Sequence, residues 1–356
     1  MKEKIIGAAI LALIVGAAIY FQFFHSNVNA ETLRGYVGGE KINFLNNETI
    51  QKILRNKYGI VVEYTKSGSI EMVSSPVPQD IDFLWPSSQV AVELFKMRQG
   101  GKIRKTELIF NSPIVLYSWD IVADALEKNG IVQKQKDIYF IVDFPKLVRY
   151  CIEGKTWSAI GISDLYGKMA VISTDPTKSN SGNMFAGLLA NMITGDMATE
   201  KSISSALPDL KRFFDRLGYM EHSSSDLFEQ YLRTGVGAKP IIAGYENQII
   251  EFSRAYGDLW PKVKNKIRIL YPVPTVWSSH PIIILNQRAE KLIKALQDEK
   301  IQRIAWEEHG FRTGMIGVQN DPALLKVVGI PETINKVVPM PSPQVMDVII
   351  KAIQSR

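Results

Sequence analysis

Ser173-Thr174-Asp175-Pro176-Thr177-Lys178-Ser179-Asn180-Ser181-Gly182-Asn183-Met184-Phe185 is a polar loop that runs directly into an apolar helical pattern. The first turn of a helix leaves backbone N–H groups without intrahelical partners, and the helix dipole favours negative charge there. Ser179 and Ser181 add hydroxyl donors, and Gly182 lets a ligand approach the backbone closely. Behind them Met184, Phe185, Leu188, Leu189 and Met192 recur at helical spacing, which predicts a buried face. The stretch therefore reads either as a capped core helix or as a helix N-terminus that holds an anion.

The flanking sequence repeats the pattern. From Arg34 onward strands and helices alternate, which predicts an α/β domain with mostly parallel strands. Strands are expected at 34–37, 60–64, 82–85, 160–163, 170–173, 240–243 and 282–285, with helices at 48–57 and 90–96, the first ended by Gly59. Ser67-Gly68-Ser69 follows the second strand, Pro86-Ser87-Ser88 the third, and Gly244-Tyr245-Glu246 a later one. Ligands of open α/β sheets sit beyond the carboxyl ends of strands, where such loops converge. Two extended runs, 109–117 with Ser112-Pro113 and 267–274 before Ser278-Ser279-His280, are long enough to cross between two lobes.

Length and composition fit two globular domains. The chain has 356 residues, 46% hydrophobic and 22% charged. Its net charge of +6, of which Lys2, Glu3 and Lys4 supply +1, suits anionic ligands without selecting them. No Lys/Arg run interleaved with aromatics marks a nucleic-acid face. Lys2 and Lys4 precede an apolar run over residues 5–24, followed by Val28-Asn29-Ala30 with the pattern of a signal-peptidase site. Residues 1–30 are thus read as a signal peptide or an uncleaved membrane anchor, and either places the body outside the cytoplasmic membrane. Cys151 is the sole cysteine, which supports neither lipid attachment nor a disulfide framework.

In this order the motifs resemble the type II periplasmic solute-binding proteins, particularly the phosphate-, sulfate- and molybdate-binding branch. The resemblance spans roughly 33–353 and rests on Ser67-Gly68-Ser69, Ser112-Pro113, Ser179-x-Ser181-Gly182-Asn183 and Tyr271-Pro272. It implies a two-lobe fold with a hinge and an interlobe cleft: lobe I at 31–113, lobe II at 114–269, and a return to lobe I at 270–356 that includes a C-terminal helix. It also implies a small-molecule solute, an oxyanion in that branch, captured for an ABC-type permease. The alternative is a membrane-anchored sensor or assembly component that engages another membrane protein through the same fold.

The residues read as ligand-binding are Ser67, Gly68, Ser69, Ser87, Ser88, Ser112, Ser179, Ser181, Gly182, Asn183, Tyr245 and Ser278. Glu246 suits a helix N-terminus without any ligand; facing the cleft, it would oppose a bare anion. The four histidines form no His-x-x-x-His pattern, so no metal or cofactor is expected. No Gly-x-Ser-x-Gly elbow occurs and no serine has an evident base, which argues for binding without catalysis. Glu308, His309 and Gly310 read as an ordinary helix end.

Overall fold

The computed structural model describes residues 30–315 and 318–354; the apolar segment at 5–24 and the signal or anchor reading lie outside the described residues. Among those residues no helix is long and apolar enough to cross a membrane.

The chain opens with strand β1 (Glu31–Val37), helix α1 (Glu48–Tyr58), β2 (Ile60–Lys66), α2 (Ser69–Ser74), β3 (Phe83–Trp85), α3 (Gln89–Gln99) and β4 (Lys105–Leu108). Local chemistry sets several boundaries. Asn47 caps α1 by accepting from Thr49 and Ile50 N–H, and Gly59 ends it in the left-handed region at φ 61°. Beyond β4 the chain crosses to β5 (Ser112–Trp119), a fully buried strand. Then follow α4 (Asp120–Lys128), β6 (Val132–Gln135), β7 (Ile138–Ile141), α5 (Phe144–Glu153), α6 (Asn180–Thr194), α7 (Ile203–Asp215), α8 (Ser224–Ala238) and β8 (Ile241–Tyr245). Helix α9 (Asn247–Ala255), β9 (Ile267–Pro272) and β10 (Trp277–Ser278) complete this lobe. The chain returns through β11 (Pro281–Ile284), α10 (Glu290–Leu296) and α11 (Glu299–Glu307), and ends in α12 (Pro343–Gln354).

Two sheets result. The first has order β2-β1-β3-β11-β4, with β1 parallel to β2 and β3, and β11 antiparallel to its neighbours. The second has order β10-β5-β9-β7-β6, and β8 also pairs with β5. Here β5 runs antiparallel to β8, β9 and β10, and only β7 and β9 pair in parallel, so the expectation of mostly parallel strands holds for part of the first sheet and one pair of the second. Each sheet is buried in its own apolar core.

Three expectations are corrected. The strand expected at 160–163 is a 3-10 turn, Ser158–Ile160, ended by Gly161 at φ 97°; that left-handed glycine turns the chain where a strand would continue. The strand expected at 170–173 is reduced to one bridge, Ile172 with Ile242. The return to lobe I was expected at 270, yet β9 pairs with β5 and β7 in the second sheet, and the first sheet regains the chain only at β11.

The C-terminal segment likewise leaves lobe I. Arg312 bridges to Asn111 as the chain passes back, Asn191 Nδ2 donates to the Pro339 carbonyl at 2.9 Å, and α12 packs on α6 and α7, with a smaller contact to α3. Burying Val345, Met346, Ile349 and Ile353 in the lobe II core accounts for that placement.

Candidate functional site

The strand-to-helix loops of both sheets meet between the lobes. From lobe I, β1 ends in Gly38-Gly39-Glu40-Lys41, a glycine pair and a three-residue 3-10 turn, Gly39–Lys41. Both Glu40 and Lys41 are buried, Lys41 completely. Burying a charge is costly unless it is paired, and these two pair with each other: Lys41 Nζ donates to Glu40 Oε1. Lys41 Nζ also donates to Ser87 Oγ at 2.8 Å, and Ser87 Oγ donates to the same Glu40 oxygen. His280 Nδ1 stands 3.5 Å from it.

Ser87 is held in place from two sides. Ser69 Oγ donates to Ser87 Oγ at 3.3 Å and accepts from Ser87 N–H at 3.0 Å. Ser278 Oγ donates to the Ser87 carbonyl. His280, on the return crossing, has a left-handed backbone at φ 36°, an uncommon conformation for a residue other than glycine. Its carbonyl accepts from Trp85 Nε1 at 3.0 Å.

Electrostatics define the charge state. Burial disfavours the Glu40 carboxylate, but Lys41 and His280 outweigh that penalty and hold its pKa well below the usual range. Burial lowers the Lys41 ammonium against the opposing pull of Glu40. Burial and the Lys41 charge bring His280 down to about 4. At neutral pH the His280 imidazole is therefore neutral and the Glu40 carboxyl ionised.

Lobe II supplies the facing wall. Thr174 Oγ1 and Ser181 Oγ lie 2.7 Å apart, and Ser179 Oγ and Ser181 Oγ 3.1 Å apart. Asn180 Nδ2 donates to Tyr245 Oη at 2.8 Å, and the Tyr245 ring meets the His280 ring edge-on at 5.9 Å. Burial raises the Tyr245 hydroxyl well above its ordinary value, with the Glu40 charge adding to it, so it stays a neutral donor and acceptor. The Oδ1 atoms of Asn180 and Asn183 and the hydroxyl of Ser112 are buried without partners among the described residues.

The lobes are closed on each other. A Cβ on Gly68 would lie 2.4 Å from the Lys178 carbonyl oxygen across the cleft, and one on Gly39 would lie 3.1 Å from Ser225 Oγ. Lys66 pairs with Asp226 across the rim at 3.2 Å. Between the lobes lie a cavity of about 40 Å³, lined by Glu40, Ser67, Gly68, Ser69, Ser179, Asn180 and Tyr245 among others, and a larger one of about 520 Å³, lined by Gly39, Glu40, Ile42 and Asn43 from lobe I and by Asp226, Phe228, Gln248 and Phe252 among others from lobe II.

The structure thus brings Ser67, Gly68, Ser69, Ser87, Ser179, Ser181, Tyr245 and Ser278 to one interlobe region. Ser88 instead caps α3, accepting from Ala91 N–H at 3.4 Å. Ser112 sits at the hinge, where β5 pairs with β10. Gly182 gives close approach to the chain's own backbone: a Cβ there would lie 2.3 Å from the Thr174 carbonyl oxygen. Asn183 Nδ2 donates to the Pro176 carbonyl within the loop at 3.3 Å. Glu246 does not oppose an anion in the cleft, because Arg312 grips both its oxygens at 2.6 and 2.9 Å and Tyr271 Oη donates to it at 2.7 Å. Sequence reasoning missed Glu40, Lys41 and Asn180. The only signal for the first two was a charged pair directly after a glycine pair at a strand end.

No family model and no curated protein matches the sequence, but solved structures match the fold. The sulfate-binding protein SubI from Mycobacterium tuberculosis aligns over 90% of this chain and 96% of its own, with a TM-score of 0.56 at 14% identity. A ferric binding protein from Campylobacter jejuni aligns over 90% and 98%, with a TM-score of 0.54 at 14% identity. This is the type II periplasmic binding-protein fold. A maltose-bound protein of T. maritima shares it, with a TM-score of 0.56, 12% identity, and coverage of 91% of this chain and 94% of its own. Within the type II fold the cluster around Glu40 lies in the cleft between lobes, at the carboxyl ends of β1 and β3 and opposite the N-terminus of α6, where that architecture gathers its loops.

Proposed function

We propose that this chain is an extracytoplasmic solute-binding protein that closes its two lobes on a small anionic solute and presents it to an ABC-type membrane transporter. The observation that carries the reading is the seat formed by Lys41 and Ser87, braced by Ser69 and Ser278: it already holds a carboxylate, that of Glu40. Donors arranged around one carboxylate oxygen suit an oxyanion or an organic acid equally. Ser179, Ser181 and Tyr245 close over the solute from lobe II, and crossings near Ser112, Ser278 and Arg312 serve as the hinge. The resemblance to binding proteins of several ligand classes supports capture and delivery. The anionic class rests on the seat.

A second reading, a membrane-anchored sensor or assembly component, draws support from one observation: the lobes are in contact with Glu40 filling the seat. A thermal-shift titration of the full chain separates the two. Phosphate, sulfate, molybdate, tungstate, amino acids and small organic acids are the probes. One anionic class is expected to raise the melting temperature dose-dependently, by the equivalent of about 2.7 kcal/mol at 100 times its Kd, and Ser181→Leu to abolish the shift. Stabilisation by none of them contradicts solute capture and favours the second reading.

A further inference from the structure

We infer that Glu40 is a tethered occupant of the cleft: its carboxylate fills the anion seat in the absence of solute, and a solute binds by displacing it. The inference rests on the reading of the cleft as an anion-binding site and specifies how that site selects and regulates its ligand.

The geometry supports this in four ways. First, the hydrogen bonds given to the Glu40 carboxylate fall on Oε1, where Lys41 and Ser87 converge as they would on one oxygen of a bound anion, while His280 Nδ1 stands 3.5 Å away without a hydrogen-bond partner of its own. Second, one of the two donors is positioned independently of Glu40, since Ser69 and Ser278 hold Ser87 through its N–H, carbonyl and hydroxyl, and Ser87 Oγ in turn accepts from Lys41. The seat is built for a carboxylate and persists when the carboxylate leaves. Third, the carboxylate folds back over its own chain. A Cβ on Gly38 would lie 2.5 Å from Glu40 Oε1, so this pose depends on glycine at that position. The short turn that follows the glycine pair gives Glu40 a pivot. Fourth, Glu40 also lines the interlobe cavity of about 520 Å³, which gives the displaced carboxylate somewhere to go.

The seated carboxylate lies against Lys41 Nζ and Ser87 Oγ, so a second anion at the seat would meet its negative charge. Once Glu40 swings out, Lys41 is uncompensated, and one anionic group restores neutrality in a buried site where an unpaired charge is disfavoured. A neutral or cationic solute has no such exchange to make. Glu40 therefore excludes weakly bound anions, and it allows the lobes to meet without solute.

The test compares the full chain with Glu40→Gln and Glu40→Ala, using sulfate, phosphate, acetate and succinate as probes. Glu40→Gln is expected to bind the preferred anion at least tenfold more tightly than the wild type. Glu40→Ala vacates the seat, and free acetate is expected to raise its melting temperature dose-dependently while leaving that of the wild type unchanged. A measurement on wild-type protein avoids any folding defect in the variants: anion saturation is expected to move the Glu40 side-chain carboxyl 13C resonance to the position of a solvent-exposed glutamate. Equal or weaker anion affinity in Glu40→Gln, with an unmoved resonance in the saturated wild type, overturns the tethered occupant and leaves the anion site standing. Binding of a cationic solute by the wild type that Glu40→Gln abolishes makes Glu40 a direct ligand and overturns it as well. No anion binding by wild type or either variant overturns both this inference and the anionic reading.

Discussion

Replacing Gly68 with valine is expected to hold the cleft open and weaken solute binding at least about a hundredfold, equivalent to about 2.8 kcal/mol. Gly68 precedes α2 with an ordinary extended backbone, φ −64° and ψ 143°, so nothing within lobe I requires glycine there. The requirement comes from lobe II, whose Lys178 carbonyl oxygen would stand 2.4 Å from the new Cβ, while the nearest lobe I atom is Glu71 Cβ at 3.7 Å. An overlap of about an ångström with backbone is not relieved by rotating a side chain. The open form carries no such clash, and its stability is expected to stay within about 0.5 kcal/mol of wild type. Small-angle scattering reads the difference as a larger radius of gyration that saturating solute does not reduce. A Gly68→Val protein that scatters and binds like the wild type removes the contact from the closing surface.

Loss of Arg312 is expected to have the largest effect on stability, about 3 to 5 kcal/mol for Arg312→Met. Its guanidinium joins two segments: it grips both oxygens of Glu246 beside α9, and it donates to the carbonyls of Pro331 and Glu332 at 2.6 and 2.9 Å. Both charged side chains are almost fully buried. Removing the arginine leaves a carboxylate supported in the interior by the Tyr271 hydroxyl alone among those partners, and it frees two tail carbonyls. The penalty arises mainly from the stranded charge, so Glu246→Gln combined with Arg312→Met is expected to recover a large part of it. Denaturant melts of the two variants give the comparison, and a single variant as stable as the double would show that the pair does not hold the tail to lobe II.

Much of the scaffold was legible because local rules acted alone. Gly59 ended α1 in the left-handed conformation that its position after the last helical turn implied. Gly310 does the same after α11 at φ 69°. Ser69 and Ser87 stand at strand-to-helix junctions and Ser181 in the first turn of α6, and alternation of elements predicts that such junctions meet. The site chemistry was less legible. Glu40 and Lys41 are neighbours in sequence with the appearance of a solvated turn; the fold buries both, Lys41 against Ser87 and the Trp85 ring. Glu246 read as a possible threat to an anion because its partner, Arg312, lies 66 residues away. Gly182 was read as a point where a ligand approaches the backbone, and the group that lies against it is the chain's own Thr174 carbonyl. The strand reading at 160–163 failed because a short apolar run shows no period that separates a strand from a buried turn.

The account turns on two lobes that open and close over the seat at Glu40. The most direct test is an electron spin distance between Lys52→Cys on α1 and Arg233→Cys on α8, both exposed positions, with the buried Cys151 replaced by alanine. The account predicts two distances without solute, the longer of which empties into the shorter as the stabilising anion is added. A single distance unchanged by any anion that raises the melting temperature would contradict it.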